Sequence, residues 1–571
     1  MFEFVAPTAT ALDVAKFAAS GVTTLSAVQA DAVTSLTTGN GQGLKLNTTG
    51  TATAASAFAW AASATDTALN VELNGVTNAV VAGTADTLTI TAAAAKTLNI
   101  ASTGAKNKVV LAGTAPIDTV NVTGGAALDL GALPTTVTTL GAAAATGGIT
   151  AVLGGTKATV TTGAGKDSID VSAAALVGAV KVSTGAGNDM VKVGTVVFDA
   201  ATSSFDGGDG RDTVQITDGA KLTTAVGKLF TNFEVLATGA GVGTYDVTKI
   251  AGIDTVLVDG AIGAAGATLS NVTNQNIVIA ANQTNVLTVN LKDSSGTADA
   301  LTIILDNQNT SATTFNKAGV SVAADKLVTT GVENLTFKSA GVITGADAVT
   351  PGTANSVALQ AADTALKTVT IIGDQAFNLT TGAVAANLTK IDASAATGKV
   401  GIDASAAVGA LSILGGSGAD SIKSGAAGAT INAGKGNDTI DLTASAATKD
   451  VVIVNAGDAK GVLTAAGVLD IAAGKLESIA SFTTGQDVLD LGVFGFTAQQ
   501  KSAWAVKSDL AAVKLDADVA NFFVDTGVAR GVAYDTTNGY LLVDANKDGN
   551  FNVATDLVIK VVGLNFTDIG F

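Results

Sequence analysis

The stretch from Gly415 to Asp441 divides without remainder into three nine-residue units. The first unit, Gly415–Lys423, and the third, Ala433–Asp441, carry the pattern G-x-G-x-D-x-U, in which U is a large apolar residue; the middle unit, Ser424–Asn432, is a degraded copy. Glycines at these positions permit tight turns with positive φ, and the apolar residue that follows begins a short strand. A repeat this short predicts a β-solenoid, in which strands and turns wind into coils.

The aspartates of these units are predicted to lie above one another. Two units make one coil, so Asp420 and Asp438, which are 18 residues apart, should stack on the same edge. Their carboxylates and the turn carbonyls would form an oxygen cage for a hard cation, and calcium is the natural occupant. The alternative is a Gly/Asp-rich loop region without metal, which the 18-residue register disfavours.

Three more copies of the signature occur earlier, at 163–169 (GAGKDSI), 185–191 (GAGNDMV) and 208–214 (GDGRDTV). Their aspartates are 22 and 23 residues apart, so each coil should carry roughly four or five additional residues compared with the 18-residue coil. The candidate calcium ligands of this cluster are Asp167, Asp189, Asp206, Asp209 and Asp212.

The repeats resemble the glycine-rich nonapeptides of RTX proteins, which Gram-negative bacteria export by type I secretion. Ile479–Leu491 (IASFTTGQDVLDL) resembles the segment that follows the β-roll in serralysin-like and surface-layer proteins, and Asp487 and Asp490 are candidate ligands or turn formers in it. The body rich in Ala, Thr, Val and Gly is similar to self-assembling surface-layer (S-layer) proteins. The resemblance implies a calcium-loaded β-roll, a type I exporter as secretion partner, lipopolysaccharide as anchoring partner, and a homo-oligomeric lattice.

A different calcium motif lies near the C-terminus, where Asp544–Asn552 has the D-x-N-x-D-G-N spacing of half an EF-hand loop. Oxygen ligands at alternating positions, with Gly549 allowing the reversal, can wrap one ion. The flanking segments 540–543 and 557–562 are predicted strands, so we expect a strand-loop-strand calcium site rather than an EF-hand; the alternative is an Asx-rich turn without metal. The candidate ligands are Asp544, Asn546, Asp548, Asn550 and Asp556.

Composition excludes several functional classes. The chain of 571 residues contains neither cysteine nor histidine, which excludes disulfides, a Ser-His-Asp triad and histidine-ligated zinc. Its net charge of −17 argues against nucleic acid as a partner and is compatible with extensive cation binding. Hydrophobic content is 47% with only 4% aromatic residues, so Ala, Val, Leu and Ile build the core. No run of about 18 apolar residues indicates a membrane span.

The N-terminal segment, residues 1–50, differs from the rest of the chain. Pro7–Ala19 and Ser26–Leu36 are predicted helices, which would form a cap over the first coil or a membrane-surface anchor. The segment lacks the pattern of a Sec signal peptide, which is compatible with type I export.

Beyond it, residues 51–160 and 216–410 are predicted as β-rich ladders on either side of a first RTX-like cluster at 161–215. Short apolar strands 8 to 12 residues apart, beginning with Leu88–Ile90, indicate solenoid rungs, although a β-sandwich meander would give similar spacing. Glu234 and Glu333 follow an apolar residue in similar segments, and we expect them to bond backbone groups between rungs rather than to catalyse. The segments at 391–395 and 402–406, both IDASA, are predicted to be stacked rungs.

Residues 411–571 are predicted to contain the β-roll, a helix at Thr497–Val513, a hairpin about 535–539, the calcium loop, and an apolar tail, Leu564–Phe571, similar to a C-terminal secretion signal.

The fold expected is therefore mainly β: solenoid and β-roll rungs with calcium-binding turns, a short helical N-terminal segment and a β-rich C-terminal region. The function expected is that of a secreted, extracellular structural protein, without enzymatic activity, that assembles into an S-layer on the cell surface. The alternatives are an RTX-type adhesin, an extracellular filament or tube, and a polysaccharide-active enzyme on a β-helix.

Overall fold

The computed structural model describes residues 2–5, 11–13, 15, 23–29, 35–48, 57–76, 86–173, 175–195, 198–307, 319–341, 354–359, 364–382, 387–445, 447–461, 469–470, 475–507 and 519–571. The chain divides into two compact units, residues 1–256 and 257–571. Both units are built almost entirely from short parallel strands, so the predicted mainly-β, solenoid-like fold is confirmed.

In the first unit, strands alternate along the chain between two parallel series. One series consists of β1 (Phe2–Val5), β3 (Thr24–Gln29), β5 (Gly43–Thr48), β7 (Ala68–Asn74), β9 (Thr97–Thr103), β11 (Thr119–Gly124), β13 (Thr139–Ala145), β15 (Ala158–Thr161), β17 (Val180–Ser183), β20 (Ser204–Asp206) and β23 (Phe230–Thr231). The other consists of β2 (Ala11–Asp13), β4 (Ser35–Thr37), β6 (Ala57–Ala61), β8 (Asp86–Thr91), β10 (Asn107–Gly113), β12 (Leu128–Ala132), β14 (Ile149–Val152), β16 (Ser168–Asp170), β19 (Met190–Gly194), β22 (Thr213–Ile216) and β24 (Val235–Ala237).

Shorter elements complete this part of the chain. They are the paired turn strands β18 (Ala186–Gly187) and β21 (Asp209–Gly210), a 3-10 turn (Gly219–Lys221), the helix α1 (Thr224–Gly227), β25 (Gly243–Asp246), and β26 (Thr255–Val258) at the boundary of the two units.

The second unit repeats the alternation. Its first series is β28 (Asn276–Ile279), β30 (Ala300–Asp306), β33 (Asn334–Ala340), β35 (Thr368–Gly373), β37 (Lys390–Ala396), β39 (Leu411–Leu414), β41 (Ala429–Asn432), β43 (Val451–Ile453), β45 (Val488–Asp490) and β52 (Ile569–Gly570). Its second is β31 (Ser321–Val322), β34 (Asn355–Ala358), β36 (Phe377–Thr380), β38 (Val400–Asp403), β40 (Ser421–Lys423), β42 (Thr439–Asp441) and β44 (Glu477–Ala480), extended by β51 (Leu557–Val561), β50 (Tyr540–Val543), β49 (Val532–Asp535) and β46 (Ala505–Lys507).

The remaining elements of the second unit are short. They are the parallel strands β27 (Ala267–Val272), β29 (Leu287–Leu291) and β32 (Leu327–Val328), the antiparallel pair β47 (Val524–Asp525) and β48 (Val528–Ala529), and 3-10 turns at Thr443–Ser445, Gly492–Phe494 and Phe566–Asp568.

Alternation of apolar and polar residues produces this arrangement. In β9, Leu98 and Ile100 are buried while Thr97 and Asn99 are partly exposed, as the two-residue period of a strand requires. Val120 and Val122 of β11 take the same positions one coil later. Stacked aliphatic side chains therefore form the core of each unit, and the predicted strands from Leu88 to Leu130 are confirmed.

Each of the two units contains a buried asparagine with equivalent hydrogen bonds. Asn107 donates from Nδ2 to Ser102 Oγ at 2.8 Å and accepts the Val76 N–H at 2.6 Å. Asn355 does the same with Ser339 Oγ at 2.9 Å and the Val320 N–H at 2.7 Å. Both asparagines are 0% exposed, so each satisfies backbone groups at a corner that water does not reach.

Three sequence predictions are wrong in the described residues. The N-terminal segment contains strands β1 to β5 rather than helices at Pro7–Ala19 and Ser26–Leu36; residues 6–10, 14, 16–22 and 30–34 lie outside the described residues. Alanine-rich sequence fits either element, and here pairing with the next coil decides. Within Thr497–Val513, residues 505–507 are the strand β46, and 508–518 lie outside the described residues.

The third correction concerns the IDASA repeat. Its two copies fall in β37 and β38, which belong to different series and do not pair with each other. The 11-residue offset therefore marks successive sides of one coil. Asp392 and Asp403 do not stack: each accepts the backbone N–H two residues on, from Ser394 at 3.0 Å and Ser405 at 3.1 Å.

The C-terminal hairpin is confirmed, since β49 and β50 pair antiparallel about a turn in which Gly539 has φ +73°. Strands β50 and β51 also pair antiparallel and flank the predicted calcium loop. No helix in the described residues has the length and apolar character needed to cross a membrane.

Candidate metal centres at the acidic turns

A column of buried carboxylates runs along one corner of the first unit. Asp167 Oδ1 accepts the Ile149 N–H at 2.6 Å, Asp189 Oδ1 accepts the Asp167 N–H at 2.8 Å, and Asp212 Oδ1 accepts the Asp189 N–H at 2.8 Å. The Asp212 N–H in turn donates to Glu234 Oε2 at 2.8 Å. Each coil therefore supplies the carboxylate that satisfies the turn of the coil before it. We name Asp167, Asp189, Asp212 and Glu234 the first acidic column.

The second unit contains an equivalent arrangement, the second acidic column, which is formed by Asp420, Asp438 and Glu477. Asp420 Oδ1 accepts the Val400 N–H at 2.7 Å, Asp438 Oδ1 accepts the Asp420 N–H at 2.6 Å, and Glu477 Oε2 accepts the Asp438 N–H at 2.7 Å. Asp420 also accepts the Gly416 N–H at 2.6 Å through Oδ2. The predicted stacking of Asp420 on Asp438 is confirmed.

Glycine is required where these turns pass over one another. Gly187, Gly210 and Gly436, the second glycines of three G-x-G-x-D turns, have φ values of +146°, +142° and +141°. A Cβ on Gly436 would lie 2.2 Å from the Gly418 carbonyl oxygen and 2.9 Å from Asp438 Oδ1. The repeated glycines thus allow the turn backbone to approach the acidic column directly.

This contact predicts that Gly436→Ala destabilises the protein by roughly 2–5 kcal/mol, because positive φ and the clash with Gly418 add. Gly457→Ala is the matched control: φ is +88° there, but no atom lies within 4 Å of the added Cβ, so we expect only the backbone penalty of about 1–2 kcal/mol. Urea unfolding monitored by circular dichroism measures both free energies of unfolding. Equal losses in the two variants would contradict the packing argument.

Four carboxylates of the two columns each have one buried oxygen without a hydrogen-bond partner in the described part of the chain. These atoms are Oδ2 of Asp167, Asp189, Asp212 and Asp438, and their residues are at most 1% exposed. A buried, ionised oxygen without a donor is costly. A bound cation would remove that cost.

Burial perturbs the ionisation of the columns. Burial raises the pKa of Asp420 from 3.8 to about 6, and burial together with repulsion from neighbouring column carboxylates raises the pKa of Asp189 and Asp212 from 3.8 to about 6. Burial also raises the pKa of Asp438, with repulsion from Asp420 acting in the same direction, and it raises the pKa of Glu477, where repulsion from Asp438 and Asp420 adds to it. In the absence of a cation, the columns therefore favour protons on their carboxyl groups.

The other candidate ligands of these clusters have different surroundings. Asp206 lies outside the first column and accepts bonds from the Gly208 N–H and Asn232 Nδ2, while Asp209 is exposed in β21. Asp487 is buried and accepts the Asp450 and Thr483 N–H groups at 2.9 and 2.7 Å.

Asp490 accepts the Gly492 N–H at 2.8 Å at the end of β45. The hydrogen bonds of Asp206, Asp487 and Asp490 match the role of turn formers, which was one of the two roles expected for Asp487 and Asp490.

The loop at 544–556 is held together by its own hydrogen bonds. Asp544 accepts the Asp548 and Gly549 N–H groups at 3.1 and 3.0 Å, and Asp556 accepts those of Ala545 and Asn552 at 3.1 and 2.8 Å. Asn546 donates to Asp548, and Asn550 accepts the Asn521 N–H. All four oxygens of Asp544 and Asp556 therefore have donors, as in the Asx-turn alternative, and calcium at this loop stays a prediction.

The sequence predicted two of the glutamates that accept backbone N–H groups between coils, but a third glutamate and one aspartate in this role were missed. Glu333 accepts the Asp299 N–H at 2.9 Å, so the expected role of Glu234 and Glu333 as bonds between rungs is confirmed. Glu477 occupies the same place and was missed, although Leu476-Glu-Ser-Ile479 repeats the apolar-Glu-x-apolar pattern. Asp450 was also missed: it accepts the Ala429 N–H at 2.6 Å and bonds Ser445 Oγ.

Calcium at the acidic columns stays a prediction. Among the described residues, no three acidic side chains group as a cage of side chains alone would require. A cation there would be held by the Oδ2 atoms of the columns together with turn carbonyl oxygens, which are the hard ligands that calcium prefers. Comparison with known proteins does not identify the chain, since no protein-family model and no curated protein matches it.

Proposed function

We propose that this protein is a calcium-dependent structural protein that assembles with copies of itself on the cell surface. The observation that carries the proposal is the set of buried Oδ2 atoms without donors in the two acidic columns. Stacked carboxylates of this kind are unfavourable unless protonated or bound to a cation. Calcium binding would then contribute directly to the free energy of folding.

Calcium would also make folding depend on location. At cytosolic calcium concentrations the columns repel and the coils are weakly held, a state that type I export can use. At millimolar calcium outside the cell, binding favours the folded coils, whose repetitive surfaces suit lattice contacts. The S-layer lattice, the exporter and lipopolysaccharide as anchor rest on the resemblance of the repeats to RTX surface-layer proteins.

A structural rather than enzymatic role is supported by the use of the buried acids. Glu234, Glu333 and Glu477 each accept a backbone N–H from a neighbouring coil, as the aspartates of the columns do. Their carboxylates are engaged in holding coils together. We propose no catalytic residue.

Electron microscopy of the purified chain tests this function. We expect ordered sheets or tubes in millimolar calcium that disperse when EGTA is added. Asp189→Asn with Asp438→Asn should weaken the response, because each change removes the charge of an unpaired oxygen and keeps the Oδ1 acceptor. Asp209→Asn, at an exposed position outside the column, is the control. Monomers with the same circular dichroism in both buffers would overturn the calcium-driven assembly.

A further inference from the structure

The chain contains three Asn-Gly pairs, which begin at Asn40, Asn74 and Asn538. In such a pair the backbone nitrogen of the glycine can attack the side-chain amide carbon of the asparagine, because glycine has no Cβ to hinder the approach. The attack expels ammonia and closes a succinimide ring, which water then opens to aspartate or isoaspartate. The surroundings of the three pairs differ, and these differences decide which of them can react.

The pair Asn40-Gly41 lies in the turn between β4 and β5, next to a carboxylate of the following coil. The Gly41 N–H donates to Asp66 Oδ1 at 3.0 Å, and Asp66 is only 7% exposed. A carboxylate can take up a proton, so this contact gives the attacking nitrogen a general base. Thr65 Oγ1 also donates to Asn40 Oδ1, at 3.4 Å, and so places a donor at the carbonyl group that is attacked.

The leaving group and the space around the turn are suited to the same reaction. Asn40 is exposed, and its Nδ2 donates no hydrogen bond within the described part of the chain, so ammonia can depart into solvent. No atom lies within 4 Å of the position that a Cβ on Gly41 would occupy. The turn therefore has room for the succinimide ring.

The other two pairs lack these features. In both, the glycine N–H donates to a backbone carbonyl oxygen, which does not act as a base, and the asparagine side-chain amide is held as a hydrogen-bond donor. The bonds are Gly75 N to Thr103 O at 3.3 Å, Asn74 Nδ2 to Asn47 Oδ1 at 3.0 Å, Gly539 N to Asp535 O at 2.8 Å, and Asn538 Nδ2 to Asp535 Oδ2 at 3.0 Å. These contacts hold the attacking nitrogen and the leaving group in place.

We propose that Asn40 is a self-modification site, at which Asp66 promotes conversion of the asparagine to aspartate or isoaspartate. Asp66 accepts the proton of the Gly41 nitrogen as that nitrogen bonds to Asn40 Cγ. The Cγ–Nδ2 bond breaks, and the proton passes to the departing nitrogen, which leaves as ammonia. Water then adds to a carbonyl carbon of the succinimide and opens the ring. Asp66 is regenerated, and the turn gains one negative charge. The reaction requires neither calcium nor self-assembly.

Peptide mapping by mass spectrometry tests the proposal on the full chain incubated at neutral pH in heavy-oxygen water. Heavy oxygen enters the new carboxyl group and so marks conversion that took place during the incubation. In the folded chain we expect Asn40 to convert faster than Asn74 and Asn538. In urea the three pairs lose their different surroundings, so their rates should become similar, and Asn40 should convert more slowly than it does in the folded chain.

Asp66→Asn is the decisive variant. It keeps an oxygen that can accept the Gly41 N–H but cannot take up the proton, so conversion of Asn40 in the folded chain should slow by about tenfold or more. The same change should not affect the rate in urea. Asp209→Asn, which removes an exposed carboxylate elsewhere in the first unit, is the matched control and should leave the rate unchanged.

Either of two results would overturn the proposal. One is conversion of Asn40 in the folded chain that is no faster than in urea, or no faster than conversion of Asn74 and Asn538. The other is an unchanged rate in Asp66→Asn whose circular dichroism matches wild type. The first comparison uses only wild-type protein, so the test remains decisive if Asp66→Asn fails to fold.

Discussion

Asp438→Asn should stabilise the protein when calcium is absent and destabilise it, relative to wild type, when calcium is present. The amide keeps an oxygen that can accept the Asp420 N–H, and it removes the charge from a buried oxygen that has no donor. Without calcium, relief of that charge should gain about 1–3 kcal/mol. With calcium, the variant lacks a ligand and forfeits part of the binding free energy. The reversal of sign separates a metal ligand from a purely structural carboxylate.

Asp438→Ala provides the matched comparison. Alanine removes both the charge and the acceptor, so the Asp420 N–H loses its partner in either buffer, and the Asn variant should be more stable than the Ala variant by about 1–3 kcal/mol. Urea unfolding at pH 8 measures the free energy of unfolding of each variant relative to wild type, once in EGTA and once in calcium. The calcium concentration is roughly 5–10 mM, in the millimolar range of extracellular sites. If Asp438→Asn lost the same amount of stability in both buffers, Asp438 would not be a calcium ligand.

The second large effect is the dependence of metal-free stability on pH. The pKa values of Asp189, Asp212 and Asp420 are raised by burial from 3.8 to about 6, so the folded state holds protons that the unfolded state has released. Such groups contribute stability that is fully present below pH 3.8 and is lost as pH rises through about 6. Each contributes about 3 kcal/mol at most, since tenfold in proton affinity corresponds to about 1.4 kcal/mol.

The metal-free protein should therefore lose stability mainly between about pH 4 and pH 7, so that it is less stable at pH 8 than at pH 5. Other carboxylates that are stabilised in the folded state, such as Asp254 beside Arg211, act in the opposite direction, but over a lower pH range. Calcium competes with the protons, so its stabilising effect should be small at pH 5 and largest at pH 8. Differential scanning calorimetry in metal-free and calcium buffers at both pH values checks this. A calcium increment in Tm that is equal at pH 5 and pH 8 would contradict it.

Local repetition explains why the acidic columns could be predicted in part. Asp420 and Asp438 are 18 residues apart, and a fixed repeat in a solenoid places equivalent residues in register. Asp167, Asp189 and Asp212 keep the same turn signature despite longer coils, so their stacking also follows from the pattern. Turn conformation depends on a few neighbouring residues, so the positions of the glycines in the sequence indicate it.

The ends of the columns could not be predicted in this way. Glu477 meets Asp438 across 39 residues, and Asp487 meets Asp450 across 37, so no fixed repeat relates the partners. Likewise, the N-terminal helices were predicted from alanine-rich periodicity. Small side chains discriminate weakly between helix and strand, and the strands there form because the next coil offers backbone partners.

By itself, the sequence determined that the chain forms coils of short strands with acidic, glycine-containing turns, because glycine conformation and two-residue alternation act over a few residues. Only the tertiary structure decided which oxygens remain without donors. Asp420 uses both of its carboxylate oxygens on backbone N–H groups, whereas Asp438, with the same turn signature, leaves Oδ2 free. That difference depends on how one coil lies against the next, and such contacts between coils are set by packing rather than by the repeat.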